Sequence, residues 1–209
     1  MTPAERIVET LDGHIWLAKA YACDAGVLLL LSAGGHAELL RQGRQSLLDT
    51  LHAQLTKQGL PPPNDWRLLD TMPDAMDTAA MTQLLQTPRP RMVTPSAEHQ
   101  LDGGWKLSLR LPLDLVHFDG HFRKAPVLPG VVEVSWALTL AAPRLGTSPH
   151  CREMEAVKFQ RLLRPGDQLE LRLRYEDVPG AERGKLYFAY HLDGAHCSSG
   201  RLRVARTDD

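Results

Sequence analysis

The chain is short of cysteine. Cys23, Cys151 and Cys197 are the only three in 209 residues. Their number is odd and no two stand close together, which argues against a disulfide framework and against a metal knuckle, so no metal is expected. A dominant charge is also missing: 24 basic residues face 25 acidic ones, for a net charge of −1, and neither sign forms a long run. Nucleic acid and anionic membrane surfaces are therefore poor partners. Val27 to Leu31 is apolar but falls far short of the ~20 residues a membrane helix needs. The opening Met1-Thr2-Pro3-Ala4-Glu5-Arg6 is polar and carries no signal-like apolar stretch, so the expectation is a cytoplasmic chain without a membrane span. No glycine-rich phosphate loop occurs. What remains is a chain that is 43% hydrophobic, enough to build a packed core and to exclude global disorder, at a length that fits one large domain or two small ones.

The first half reads as a small α+β unit. Thr2 and Pro3 have the character of an N-cap and a first helical turn, with the helix running to about Leu11 and stopping at Asp12-Gly13. Ile15 to Tyr21 reads as a strand, Asp24-Ala25-Gly26 as a turn, and Val27 to Ser32 as a short buried strand. Leucines at 39, 40, 47, 48, 51 and 55 predict a helix over Glu38 to Gln58. Pro61-Pro62-Pro63 breaks the chain before a short strand, Trp66 to Leu69, and a last helix, Asp77 to Gln86. Thr87-Pro88-Arg89-Pro90-Arg91 reads as a stiff extended linker. The domain boundary is placed near 92 to 97, giving domains 1–92 and 97–209.

The second half predicts a strand over Trp105 to Leu113 and a loop rich in histidine, glycine and proline. A helix over Val131 to Leu145 follows, apolar nearly all round, and Gly146-Thr147-Ser148-Pro149 ends it. Strands then cover Glu155 to Leu163, Gln168 to Glu176, Lys185 to Leu192 and Cys197 to Val204. The join carries the chemistry. Pro126 and Pro129 cannot lie within a helix, so an ordered loop must run from Phe122 to Pro129. Gly130 then opens a helix whose first N–H groups are unpaired and can hold a polarised carbonyl oxygen or an anion. A nearby imidazole can act as a general base.

Gly120-His121-Phe122 followed by Pro126-Val127-Leu128-Pro129-Gly130 resembles the active-site stretch of the beta-hydroxyacyl-acyl-carrier-protein dehydratases, whose pattern is roughly G-H-F-P-x-x-P-V-x-P-G. The likeness spans about residues 98–205 and implies an α+β hotdog fold, an antiparallel sheet wrapped round one long helix. Val131, Val132, Val134, Trp136 and Ala137, with the later Val157-Lys158-Phe159-Gln160, are most similar to dehydratase-like proteins of aryl polyene pigment pathways. The resemblance implies loss of water from a 3-hydroxyacyl thioester, with His121 as base and the Gly130 N–H as oxyanion donor. It sets His117, Phe122, Val127, Pro129 and Val131 around the substrate. It implies no cofactor beyond the phosphopantetheine that carries the substrate, acyl carrier protein as partner, and a homodimer or higher even oligomer. Arg123 and Lys124 are candidates for meeting the carrier's acidic surface.

One position departs from the family. Its helix acid falls at Ser135, and a hydroxyl is far too weak an acid to replace a carboxyl. Glu133 is turned by roughly 200° from that position on a 3.6-residue helix; Asp119 and His117 are upstream substitutes. The departure supports a second reading, a partner subunit that binds carrier-held thioesters without turnover. A hotdog thioesterase is a third. Trp136 reads as core, and the histidines outside the loop read as structural.

Trp66-Arg67-Leu68-Leu69-Asp70-Thr71-Met72-Pro73, with the order of elements around it, is similar to the C-terminal subdomain of adenylate-forming acyl and aryl ligases. Those ligases place Gly-Lys a few residues later. Here Asp77 and Thr78 stand there, and no lysine lies between Lys57 and Lys106. Adenylation is therefore rejected, and the unit is expected to be non-catalytic.

Overall fold

The computed structural model describes residues 1–73, 76–120, 122 and 125–207. Two units emerge: Met1–Arg91 together with Pro112–Val127, and Met92–Leu111 together with Leu128–Asp209. The segment Pro112–Val127 thus belongs with the first unit, although in sequence it lies beyond the boundary at 92 to 97.

In the first unit, α1 (Pro3–Leu11) begins with a capping box. Thr2 Oγ1 accepts from the Glu5 N–H and the Glu5 carboxylate accepts from the Thr2 N–H, so two end-of-helix donors are satisfied. Strands β1 (Leu17–Cys23) and β2 (Gly26–Leu31) form an antiparallel hairpin, and β3 (Trp66–Leu69) adds to β2 in parallel. Helix α2 spans Ala33–Lys57, capped by Ser32, and starts earlier than the leucine spacing predicts. Its first turns are poor in leucine because they approach the backbone closely: a Cβ on Gly35 would stand 1.9 Å from the Trp16 carbonyl oxygen. At Gly43, φ 81 and ψ 168 break the helix, in the gap between Leu40 and Leu47. Asp77 caps α3 (Thr78–Gln86). Leu11, Val27, Leu29, Leu39, Leu47, Leu51 and Leu55 fill the core, and Leu113 joins it.

The second unit is a six-stranded antiparallel sheet in the order β4-β5-β7-β8-β9-β6. Its strands are β4 (Ala97–Leu101), β5 (Gly104–Arg110), β6 (Thr147–Phe159), β7 (Gln168–Glu176), β8 (Arg183–Leu192) and β9 (Ala195–Arg206). Inward side chains alternate along β7 (Leu169, Leu171, Leu173), β8 (Leu186, Phe188, Tyr190) and β9 (Ser198, Gly200, Leu202, Val204). Helix α4 (Gly130–Leu145) packs on β6 and β7. This is the hotdog outline that the motif implied.

Four points differ from what the sequence predicts. Strand β5 stops at Arg110, not Leu113, because Leu111 bonds into the Asp167 turn and the Leu113 N–H goes to Asp70 Oδ1 at 2.8 Å. Strand β6 starts at Thr147, directly after the left-handed cap Gly146, and β4 had no counterpart in the sequence reading. Both are edge strands with mostly exposed, polar residues, so neither shows the alternation that marks a half-buried strand. Nor is α4 covered all round: Val131, Ser135 and Thr139 form one exposed stripe. No helix among the described residues is long and apolar enough to cross a membrane.

Candidate functional site

Pro129 is the N-cap of α4, with φ −62 and ψ 134, and contributes no side-chain cap. Its carbonyl accepts from Val132 and Glu133 N–H at 2.9 and 3.3 Å, leaving the N–H groups of Gly130 and Val131 without a partner inside the helix. The Leu128 N–H, bonded to the Leu163 carbonyl at 2.8 Å, fixes the approach. The Phe159 ring lies over the helix mouth: a Cβ on Gly130 would sit 2.5 Å from its Cζ. A side chain at 130 would therefore require the ring to move. Val131 is 71% exposed at the same mouth. Gln160 continues from Phe159, donating its N–H to the Cys197 carbonyl at 2.7 Å while its Oε1 meets His196 Nδ1 at 2.6 Å.

One turn further, Glu133 is only 3% exposed. Ser198 Oγ donates to its carboxylate, and Tyr190 Oη donates to its main-chain oxygen at 2.9 Å. Burial pushes the carboxyl up to about 7, the serine hydroxyl holding it back. The fully buried Tyr190 is raised well above the ordinary phenol range, first by burial and then by Glu133. Ser135 is exposed and its carbonyl accepts from Thr139 Oγ1 at 3.0 Å. The helix therefore turns its acid into the sheet and its serine outward. Angular spacing on the helix separates Glu133 from the position of Ser135, and the structure keeps them apart. The signal that could have singled it out is a lone carboxylate within the apolar run Val131 to Ala142.

In the first unit, two described residues of the motif have positive φ. Gly120 has φ 81 and Phe122 has φ 59; a left-handed conformation is a genuine outlier for a bulky aromatic and is found most often at functional turns. Phe122 is 63% exposed, whereas Phe118 and Val127 are buried. His117 Nε2 lies 2.9 Å from the Arg91 carbonyl oxygen. Both Asp119 oxygens accept from Arg89, at 2.5 and 3.2 Å, so this carboxylate is engaged. The base candidate His121 and the basic pair Arg123 and Lys124 lie outside the described residues. Among the described residues no group of three or more His, Cys, Asp or Glu side chains is arranged to hold a metal. A depression of about 510 Å³ on the second unit is lined by Trp105, Arg172, Tyr187, Ala189, Ser199 and Arg201 among others, and by none of the motif residues.

Residues 96–201 match the family model described as ApeI-like, ApeI dehydratase. A 3-hydroxyacyl-[acyl-carrier-protein] dehydratase FabZ of a Jannaschia species is 33% identical over 88 residues, 37% of this chain and 55% of that protein. The FabZ of Oenococcus oeni is 38% identical over 68 residues, 29% of this chain and 49% of that protein. The chain thus spans about half the length of the curated relatives it matches. Among solved structures, the dehydratase heterocomplex ApeI:P from Xenorhabdus doucetiae is similar at 30% identity and a TM-score of 0.47, over 55% of this chain and 98% of that one. The family match covers half of the chain and contains the whole motif: the protein belongs to the ApeI-like dehydratase family.

Proposed function

We propose that the protein removes water from a 3-hydroxyacyl thioester carried on the phosphopantetheine of an acyl carrier protein, in synthesis of a fatty-acid-like or polyene pigment chain. The reading rests above all on the Gly120–Gly130 motif string, which lies within the family match and ends at an α4 mouth whose N–H groups have no helical acceptor. His121 takes the proton next to the thioester carbonyl. The electron pair moves onto the carbonyl oxygen, where the Gly130 N–H receives the developing charge; a preorganised donor of this kind is worth about 3 kcal/mol. Re-formation of the carbonyl moves the pair into the new double bond and expels the 3-hydroxyl, which leaves as water on the proton that His121 removed, relayed through a water molecule held at Ser135; both His121 and the relay water are thereby restored. His117, Phe122, Val127, Pro129 and Val131 surround the acyl chain. The N-terminal unit does no chemistry, and the protein works as a homodimer or higher even oligomer.

A second reading has its own support: the α4 face bearing Ser135 shows no carboxyl, because Glu133 is turned inward. On that reading the protein binds carrier-held thioesters for a catalytic partner. Mass spectrometry of a 3-hydroxyacyl carrier thioester incubated with wild type and with Ser135→Asp decides between them. Loss of the mass of one water with wild type is the expected result. Water loss with the aspartate variant alone sinks wild-type catalysis in favour of the binding role. Release of free carrier thiol would point instead to a thioesterase.

A further inference from the structure

The segment that leads into the motif is built into the first unit by an unusual density of bonds. Leu113 belongs to that unit's hydrophobic core cluster. Its N–H donates to Asp70 Oδ1, and the Val116 N–H donates to the Pro90 carbonyl at 3.0 Å. Asp114 is 3% exposed and faces three guanidinium groups. Arg44 Nε lies 2.5 Å and Arg89 Nε 3.3 Å from Oδ1, and Arg67 Nη1 lies 3.9 Å from Oδ2. These arginines come from α2, β3 and the stretch after α3, so a single carboxylate gathers three parts of the unit.

Arg89 does more than face Asp114. Its guanidinium donates to the Asp114 carbonyl at 3.0 Å, to the Leu115 carbonyl at 3.4 Å, and to both oxygens of Asp119. The segment is itself compact: Phe118 N–H bonds to Leu115 O and Asp119 N–H to Val116 O, a single 3₁₀ turn. A planar fork that grips main-chain oxygens and a carboxylate at once fixes direction as well as position. Two peptide units span at most about 7 Å, so a fixed Asp119 bounds the backbone that follows it. Arg67, which belongs to the ligase-like string, also bonds the Leu85 and Thr87 carbonyls and thereby holds the end of α3 next to the segment that contains Arg89.

We infer that the N-terminal unit is a positioning scaffold for the motif: Arg89, backed by the buried Asp114 cluster, fixes the segment 112–119 that precedes the base candidate His121 in sequence. Arg89 is a positioning residue and touches no substrate. The inference rests on the proposed dehydratase reading for its catalytic half only. Its structural half, that Arg89 immobilises the segment, stands apart from it.

The experiment uses the full chain as wild type, Arg89→Ala, Arg89→Lys and Leu51→Ala. The last removes core packing in the same unit and leaves every printed hydrogen bond and ion pair of the segment in place. Amide hydrogen exchange is read peptide by peptide, melting temperature is measured for each variant, and kcat and KM are measured for dehydration of a 3-hydroxyacyl carrier thioester. Arg89→Ala is expected to lose at least about tenfold in exchange protection over 112–119 while β1–β3 keep theirs. Its kcat should fall about tenfold to hundredfold with little change in KM, the cost of a misplaced reacting group. Arg89→Lys, which keeps the charge but not the fork, should recover less than half of either effect. Leu51→Ala should lower the melting temperature and leave kcat near wild type. Unchanged exchange over 112–119 in Arg89→Ala overturns the inference, as does an equal loss of kcat in Leu51→Ala. A wild type without turnover defeats the dehydratase reading instead, and the exchange result still decides whether Arg89 anchors the segment.

Discussion

Among the described residues each unit buries one carboxyl almost completely, and the two are stabilised in opposite ways. Asp114 and Glu133 are each 3% exposed, and burial raises both. Around Asp114 the Arg44 and Arg89 guanidiniums pull the carboxyl back toward its charged form. Around Glu133 the counterweight among the described residues is the Ser198 hydroxyl, and burial pushes the group up to about 7. A buried acid can be kept by pairing it with cations or by letting it hold its proton. The first unit ties chain segments together with the charged solution. The second, on the first turn of α4, lets its carboxyl hold its proton up to about pH 7.

The comparison breaks most sharply at Asp114. Removing one partner of a buried ionic cluster costs about 3–5 kcal/mol, because the remaining charges are left uncompensated. Asp114→Ala strands three guanidiniums, and a loss of that size is expected in the urea midpoint of unfolding. Asp114→Asn keeps the shape and removes the charge, so it should lose nearly as much. A loss below about 1 kcal/mol for both would mean that the arginines are already satisfied by Trp66, Leu85, Thr87, Leu115 and Asp119 without the buried carboxylate.

Glu133 should behave differently, and pH reveals it. Its folded value lies above the unfolded one, so the native state binds the proton more tightly. The stability this gives is fully present below the unfolded value near 4.5 and is lost as pH rises through about 7. The rise corresponds to at most about 3 kcal/mol. Wild type should therefore be less stable at about pH 8 than at about pH 5 by up to that amount, with Glu133→Gln showing a flatter profile across the same window. Parallel profiles for the two proteins would show that the carboxyl is charged in the folded state throughout.

How far these features could be read beforehand depended on the kind of signal each leaves. Trp66–Leu69 and Gln168–Glu176 were legible to the residue, because alternation against a core is local. The α4 start at Gly130 was legible because proline forbids a helix before it. The edge strands β4 and β6 were not, since a strand with one free edge and little burial carries no apolar period. The tie of 112–119 to the first unit was hidden for another reason. Asp114 and Arg89 are ordinary surface-type residues in a linear string, and only the fold brings Arg44, Arg67 and Arg89 to one carboxylate. Ser135 and Glu133 were both visible, but which of them faces inward depended on the burial of the opposite face of α4.

A smaller effect separates the helix mouth from its root. Gly130→Ala drives a methyl toward the Phe159 ring, which is half-exposed and can swing aside. The expected cost is about 1 kcal/mol, at the lower end of overpacking. Gly130→Ala with Phe159→Ala should recover most of it in a double-mutant cycle. Additive losses would mean that the glycine is needed for its backbone freedom and not for the ring.

The smallest effect on stability is expected at Ser135, and there stability and chemistry part company. The residue is exposed on α4 and its described bond is made by its main-chain oxygen, so Ser135→Asp should change unfolding free energy by no more than about 0.5 kcal/mol. A carboxyl on that face would be solvated, and so would differ from Glu133, whose burial is what raises it. A positioned acid contributes roughly 10²–10⁴ in rate, so a tenfold or greater gain in water loss with an unchanged melting curve is the expected pairing. If Ser135→Asp gains nothing while Glu133→Gln abolishes wild-type turnover, the proton reaches the leaving hydroxyl from the buried side of the helix, and the neutral carboxyl near 7 is the acid.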